Sequence, residues 1–185
     1  MSTGRLEVIC GKDSSGKTAM ALGRALQALT EQKTVIVIQF LKGSEKTGNL
    51  DVLKRMEPEL KVFRFEKSDR YFAELSDAEK KDEQINIRNG LNYAKKVLTT
   101  EECDLLVLDE ALGLCRVFHL LTDGDLIALR DEAGHIALVA VEWYAAHGRT
   151  LFKAALLARE GQIQLPRSCE RIVEEHLVEV TDAVE

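Results

Sequence analysis

Residues 6–22 read LEVICGKDSSGKTAMAL, and the fold turns on how this stretch parses. Leu6 to Cys10 is a short apolar run that ends at a glycine, as a buried strand running into a loop does. Residues 11–18, GKDSSGKT, fit G-x-x-x-x-G-K-[ST] at every fixed position. Beyond them Ala19, Ala21, Leu22, Ala25, Leu26 and Leu29 largely share one helical face. Strand, glycine loop, helix is the order that a phosphate-binding loop requires. Gly11 and Gly16 permit backbone angles and a close approach that a side chain would block. The loop amides across Lys12, Asp13, Ser14 and Ser15, with those of the helix N-terminus, then point at phosphate oxygens. Lys17 adds a point charge for the outer phosphates, and the Thr18 hydroxyl can hold Mg²⁺. The competing reading is a chance glycine-rich turn, and the strand before and helix after it count against that.

Further along, 34–40 (TVIVIQF) is β-branched and nearly continuous, as a strand covered on both faces should be. Residues 43–49 hold two glycines and two charges and are expected to form an exposed loop. Residues 61–65 (KVFRF) alternate and predict a strand. Ser76 followed by Glu79 is a capping-box pattern that opens a helix to about Leu98, with an irregularity expected near Asn89–Gly90. Residues 104–109 (DLLVLD) form the clearest buried strand. Asp109 and Glu110 end it, at the carboxyl end of a strand where ligands bind in parallel sheets. Asp109 can join a Mg²⁺ shell directly or through water, and Glu110 can orient a water or substrate or bind the metal. The alternative is a helix N-cap with a solvated neighbour. A short helix at 122–131, a strand at 135–141, a helix at 148–160 and a last strand at 176–180 complete the pattern. Strands alternating with helices imply an α/β domain with a mostly parallel sheet and helices on both faces. No repeat or linker interrupts residues 1–185, so one domain is expected.

At 185 residues the chain can bury one sizeable core. Its formal net charge of −6 argues against general nucleic-acid binding. Cys10, Cys103, Cys115 and Cys169 show no C-x-x-C pair, so a zinc site is not expected, and four separated thiols suit a reducing cytoplasm. No signal peptide or membrane span is legible. His119, His135, His147 and His176 have no ligand or triad spacing.

The order of the phosphate loop, Ala21-Leu22-Gly23, Gln39-Phe40-Leu41-Lys42-Gly43 and Leu106-Val107-Leu108-Asp109-Glu110 resembles the ATP:corrinoid adenosyltransferases. VIQFLKG is the more diagnostic piece, and VFRFEK, the helix near Asn92 to Leu98 and DLLVLDEALGL also look like that family. The resemblance spans roughly residues 6–130. It implies a RecA-like P-loop sheet, often in a homodimer. It also implies transfer of the 5′-deoxyadenosyl group of ATP to a reduced corrinoid cobalt with release of triphosphate. Cobalt(I) is then the nucleophile, so the protein's work is positioning and electrostatics. Carried over by motif, the loop backbone and Lys17 bind triphosphate, Thr18 and Glu110 serve Mg²⁺ with Asp109 supporting, and Gln39 and Lys42 lie near the nucleotide. A reductase is a further implied partner. The family's loop is usually T-G-x-G-K-G-K-T, where this chain has Lys12, Ser14 and Ser15. The family's Thr-Gly-Arg after its fifth strand is replaced by Glu142-Trp143-Tyr144, with Gly148-Arg149-Thr150 further down.

Phe63, Phe65, Tyr71 and Phe72 could wall a flat corrinoid ring, although alternation on a strand favours core packing for Phe63 and Phe65. Two other functions fit the same motifs. One is a phosphoryl-transferring P-loop kinase or ATPase. The other is a non-catalytic nucleotide-binding relative.

Overall fold

The computed structural model describes residues 6–9, 16–42, 50–111 and 137–141, with Leu114 and Leu129. Five strands are seen: β1 (Leu6–Ile9), β2 (Val35–Phe40), β3 (Leu60–Phe65), β4 (Leu105–Asp109) and β5 (Ala137–Val141). They form one sheet in the order β1-β5-β4-β2-β3, and every neighbouring pair is parallel. The helices are α1 (Lys17–Thr30), the short α2 (Leu50–Lys54) and α3 (Asp77–Thr99), with a 3₁₀ turn at Phe72–Glu74. The α/β class and parallel sheet read from the sequence are therefore present. The expected elements at 43–49, 148–160 and 176–180 lie outside the described residues, as does that at 122–131 apart from Leu129. So do Cys10, Cys115, Cys169, the four histidines, Trp143, Tyr144 and Arg149.

Alternation along the strands sorts side chains onto two faces. Val35 and Val37 of β2, Leu60 of β3 and Leu105 and Val107 of β4 pack with Ala21, Ala25 and Ala28 of α1. Ile36, Ile38 and Phe40, with Leu106 and Leu108, pack with Ile87, Ala94, Val97 and Leu98 of α3 on the other face. Two cores on opposite faces explain why all six residues of β2 are buried. Helix α1 meets the sheet through Ala21, Ala25 and Ala28, with Leu22 and Leu29 half-buried beside them. Ala19 and Leu26, expected on its inner face, are exposed, because at 3.6 residues per turn both fall about 140–160° round the helix from Ala21.

Helix α3 opens with the predicted capping box. The Ser76 side chain accepts from the Glu79 amide, and the Glu79 carboxylate accepts from the Ser76 amide. The expected irregularity near Asn89–Gly90 is absent: α3 runs unbroken from Asp77 to Thr99. Gly90 instead lies under the aromatic rings of Phe40 and Phe65, where a Cβ would sit 2.5 Å from Phe40 Cε1 and 2.7 Å from Phe65 Cγ. The glycine serves close helix–sheet approach, not a break. Phe63 and Phe65 pack on the α3 core beside Tyr93, and Phe63 meets the Tyr93 ring edge-on at 4.8 Å. Core packing is thus their observed role.

Candidate active site

Gly16 is the N-cap of α1 and has a φ of 80°, a left-handed angle that favours glycine. It provides no capping side chain, and the first turn of α1 carries no acidic residue. Neither a capping side chain at Gly16 nor a first-turn carboxylate competes with an anion at this helix N-terminus. The loop residues Gly11, Lys12, Asp13, Ser14 and Ser15 lie outside the described residues. Lys17 and Thr18 open the helix, and Lys17 is buried.

Thr18 faces the end of β4. Its hydroxyl donates to the Asp109 carboxylate at 3.1 and 3.2 Å. Asp109 is 1% exposed. On the neighbouring strand the Gln39 amide Nε2 donates to Asp109 Oδ2 at 3.0 Å. Gln39 and Asp109 are register partners, and they follow the apolar pairs Val35–Leu105 and Val37–Val107 on the α1 face. The alternation that buries those rows thus delivers a polar row at the carboxyl end of the sheet, beside α1.

Lys42 closes the group. Its ammonium Nζ is 3.3 Å from Thr18 Oγ1, 3.2 Å from Glu110 Oε1 and 3.8 Å from Asp109 Oδ2. A hydroxyl and two carboxylates converge on one cation. Burial pushes the Glu110 carboxyl above its ordinary range. The Lys42 ammonium pulls it back, the Asp109 charge adds to the rise, and Lys17 also lowers it. Leu41 and Glu110, each one residue past the end of a strand, have φ angles of 56° and 66°. Left-handed backbone at non-glycine residues costs about 1–3 kcal/mol each and clusters at functional sites.

The sequence-derived residues Thr18, Gln39, Lys42, Asp109 and Glu110 are therefore brought together, with Lys17 near enough to influence Glu110. Among the described residues no group of three or more His, Cys, Asp or Glu side chains is arranged to hold a metal. Mg²⁺ does not need one. It is commonly held by one or two carboxylates, waters and substrate phosphates. The Thr18 hydroxyl with Asp109 and Glu110 is such a donor set, and the Lys42 ammonium stands where a cation fits.

Two participants escaped the sequence reading. Arg64 of β3 is the register partner of Gln39 and donates from Nε to Gln39 Oε1 at 3.0 Å. Glu66 accepts the Lys42 amide at 2.8 Å. The alternation of LKVFRF was the available signal, since it sets Arg64 in step with Leu60 and Val62. No helix among the described residues is long and apolar enough to cross a membrane.

No curated protein matches the chain. The family model described as ATP:corrinoid adenosyltransferase BtuR/CobO/CobP matches residues 2–145, which includes the phosphate loop, the strand carrying Asp109 and every residue of the site. The chain belongs to the ATP:corrinoid adenosyltransferase family and is a transferase.

Proposed function

We propose that the protein transfers the 5′-deoxyadenosyl group of ATP to the reduced cobalt of a corrinoid. A cobalt–carbon bond forms at C5′, the C5′–oxygen bond breaks, and triphosphate leaves with the bonding pair. The single observation carrying this reading is the part-buried Thr18–Asp109–Lys42–Glu110 cluster between the N-terminus of α1 and the carboxyl end of β4, in a chain of this family.

The residues act by holding charge. The amides at the start of α1 and Lys17 take the phosphates. Thr18, Asp109 and Glu110 would hold Mg²⁺, which supplies positive charge against the departing triphosphate. Lys42 and Gln39 border the same space. Cobalt supplies the nucleophile, so no side chain needs to attack, and preorganised electrostatics is the protein's contribution. Tyr71, 63% exposed on the β3–α3 connection, and its neighbour Phe72 offer aromatic surface to the flat ring. A reductase that delivers the low-valent corrinoid, and a homodimeric assembly, belong to the same reading.

The test is anaerobic incubation with ATP, Mg²⁺ and chemically reduced cobalamin. The expected result is a light-sensitive alkyl-cobalt spectrum with one triphosphate released per corrinoid. Well-folded protein that yields ADP, or no alkyl-cobalt product, overturns the reading.

A further inference from the structure

We infer that Arg64 is a positioning residue for this site, holding the cation and phosphate groups from behind through two hydrogen-bonded arms. The inference rests on the proposed function for the identity of the bound groups.

The first arm runs across three strands. Arg64, Gln39 and Asp109 occupy one register row on β3, β2 and β4. Arg64 Nε donates to Gln39 Oε1 at 3.0 Å, and Gln39 Nε2 donates to Asp109 Oδ2 at 3.0 Å. An arginine has no acceptor and a carboxylate no donor. The Gln39 amide between them therefore has one permitted orientation: oxygen to Arg64, nitrogen to Asp109. The amide in turn fixes Asp109, which also accepts from the Thr18 hydroxyl and pairs with the Lys42 ammonium.

The second arm runs along β3 and back to β2. Arg64 Nη1 donates to Glu66 Oε1 at 3.3 Å. The other oxygen of Glu66 accepts the backbone amide of Lys42 at 2.8 Å. Lys42 follows Leu41, whose φ is 56°, so this hydrogen bond anchors a turn that would otherwise relax. One guanidinium thus sets both the carboxylate and the lysine that meet at the Thr18 hydroxyl.

Stability alone does not account for an arginine here. The two rows beneath it on the α1 side are apolar across β2, β3 and β4. The Arg64 side chain is 16% exposed, and its Nη2 is buried with no hydrogen-bond partner among the described residues. A buried unsatisfied donor costs about 1–3 kcal/mol, and apolar replacement of buried ionic groups is often neutral or stabilising. The fork geometry needed to serve two acceptors is what a guanidinium adds and an ammonium lacks.

The test uses the full chain with Arg64→Met and Arg64→Lys. The readouts are Mn²⁺ affinity with ATP present, followed by electron paramagnetic resonance, the thermal midpoint, and kcat with the KM for corrinoid. Outer groups that orient metal ligands typically change metal affinity or activity about 10–100-fold. Arg64→Met is expected to weaken Mn²⁺ binding and lower kcat by about tenfold or more, leaving the corrinoid KM within about twofold. Arg64→Lys, which keeps the charge but loses one arm, is expected to fall between Met and the parent. Adding Gln39→Leu to Arg64→Met should bring less than the sum of the two single losses in Mn²⁺ affinity, because both act through Asp109.

Mn²⁺ affinity within twofold of the parent in Arg64→Met overturns the inference. If that variant does not fold, an unchanged affinity in folded Arg64→Lys does the same. A loss that is fully additive with Gln39→Leu also overturns it. The metal measurement needs no corrinoid. A parent that binds Mn²⁺ and ATP but forms no alkyl-cobalt product defeats the proposed reaction and leaves the Arg64 inference standing.

Discussion

Alanine at Gly90 and alanine at Gly23 should move stability in opposite directions. Both glycines lie inside helices, where replacing glycine by alanine gains about 0.8–1 kcal/mol of helix propensity. Gly23 is on the outer side of α1, and a Cβ there meets nothing within 4 Å, so the gain is kept. At Gly90 the new Cβ would lie 2.5 Å from Phe40 Cε1, 2.7 Å from Phe65 Cγ and 2.9 Å from Phe65 Cδ2. Real Cβ atoms do not approach that closely, and Phe40 is fully buried, so its ring has little room to retreat. Overpacking of this kind costs about 1–3 kcal/mol, occasionally more, and it outweighs the propensity gain. Gly90→Ala is expected to lose about 1–2 kcal/mol net, and Gly23→Ala to gain up to about 1 kcal/mol. For a chain of this size each kcal/mol moves Tm by about 2–4 °C. Urea titration and thermal melts followed by circular dichroism read both. Gly90→Ala as stable as the parent would refute the reasoning, since α3 could not then lie as close to Phe40 and Phe65 as the packing requires.

Lys42→Met leaves Asp109 and Glu110 facing one another without their ammonium. Removing one partner of a buried ion pair costs about 3–5 kcal/mol, so the variant should melt early in metal-free buffer and recover with Mg²⁺, as scanning calorimetry with and without Mg²⁺ would show. The same variant should bind Mn²⁺ about tenfold or more tightly without nucleotide, because the competing charge is gone. Lys17→Ala should weaken ATP binding by about tenfold or more without a comparable change in Tm, as titration calorimetry would report. Cys103 is buried, and burial pushes its thiol up to about 12. Its peptide should resist alkylation at pH 8 in the folded protein and react on unfolding, as peptide-resolved mass spectrometry would show. Because that value is raised in the folded state, the thiol's contribution to stability is complete below the unfolded pKa near 9 and is lost as pH rises toward 12.

Much of this architecture follows from local pattern. Alternation and apolar runs placed β1, β2, β3 and β4 within a residue or two of their observed ends. GKDSSGKT located the start of α1, and Ser76 with Glu79 located that of α3. These features are written in neighbouring residues, because backbone periodicity and helix capping act over a few positions. Asp109 and Glu110 were legible as an acidic pair ending an apolar strand and Thr18 as the last residue of GKDSSGKT, while Gln39 and Lys42 were reached only through the resemblance of VIQFLKG to the adenosyltransferase family. What neighbouring residues could not determine was who meets whom. Thr18 and Asp109 are 91 positions apart, and Gln39 and Asp109 are 70 apart. Their contact depends on a strand order and register that only the packed sheet decides. Arg64 looked like one more charge on an alternating strand until β3 paired with β2 and set it beside Gln39. Gly90 looked like a weak point in a helix until the helix lay on Phe40 and Phe65. The physical reason is the same in each case. Local sequence sets the direction in which a side chain leaves its own strand or helix, and tertiary packing sets what stands in its path.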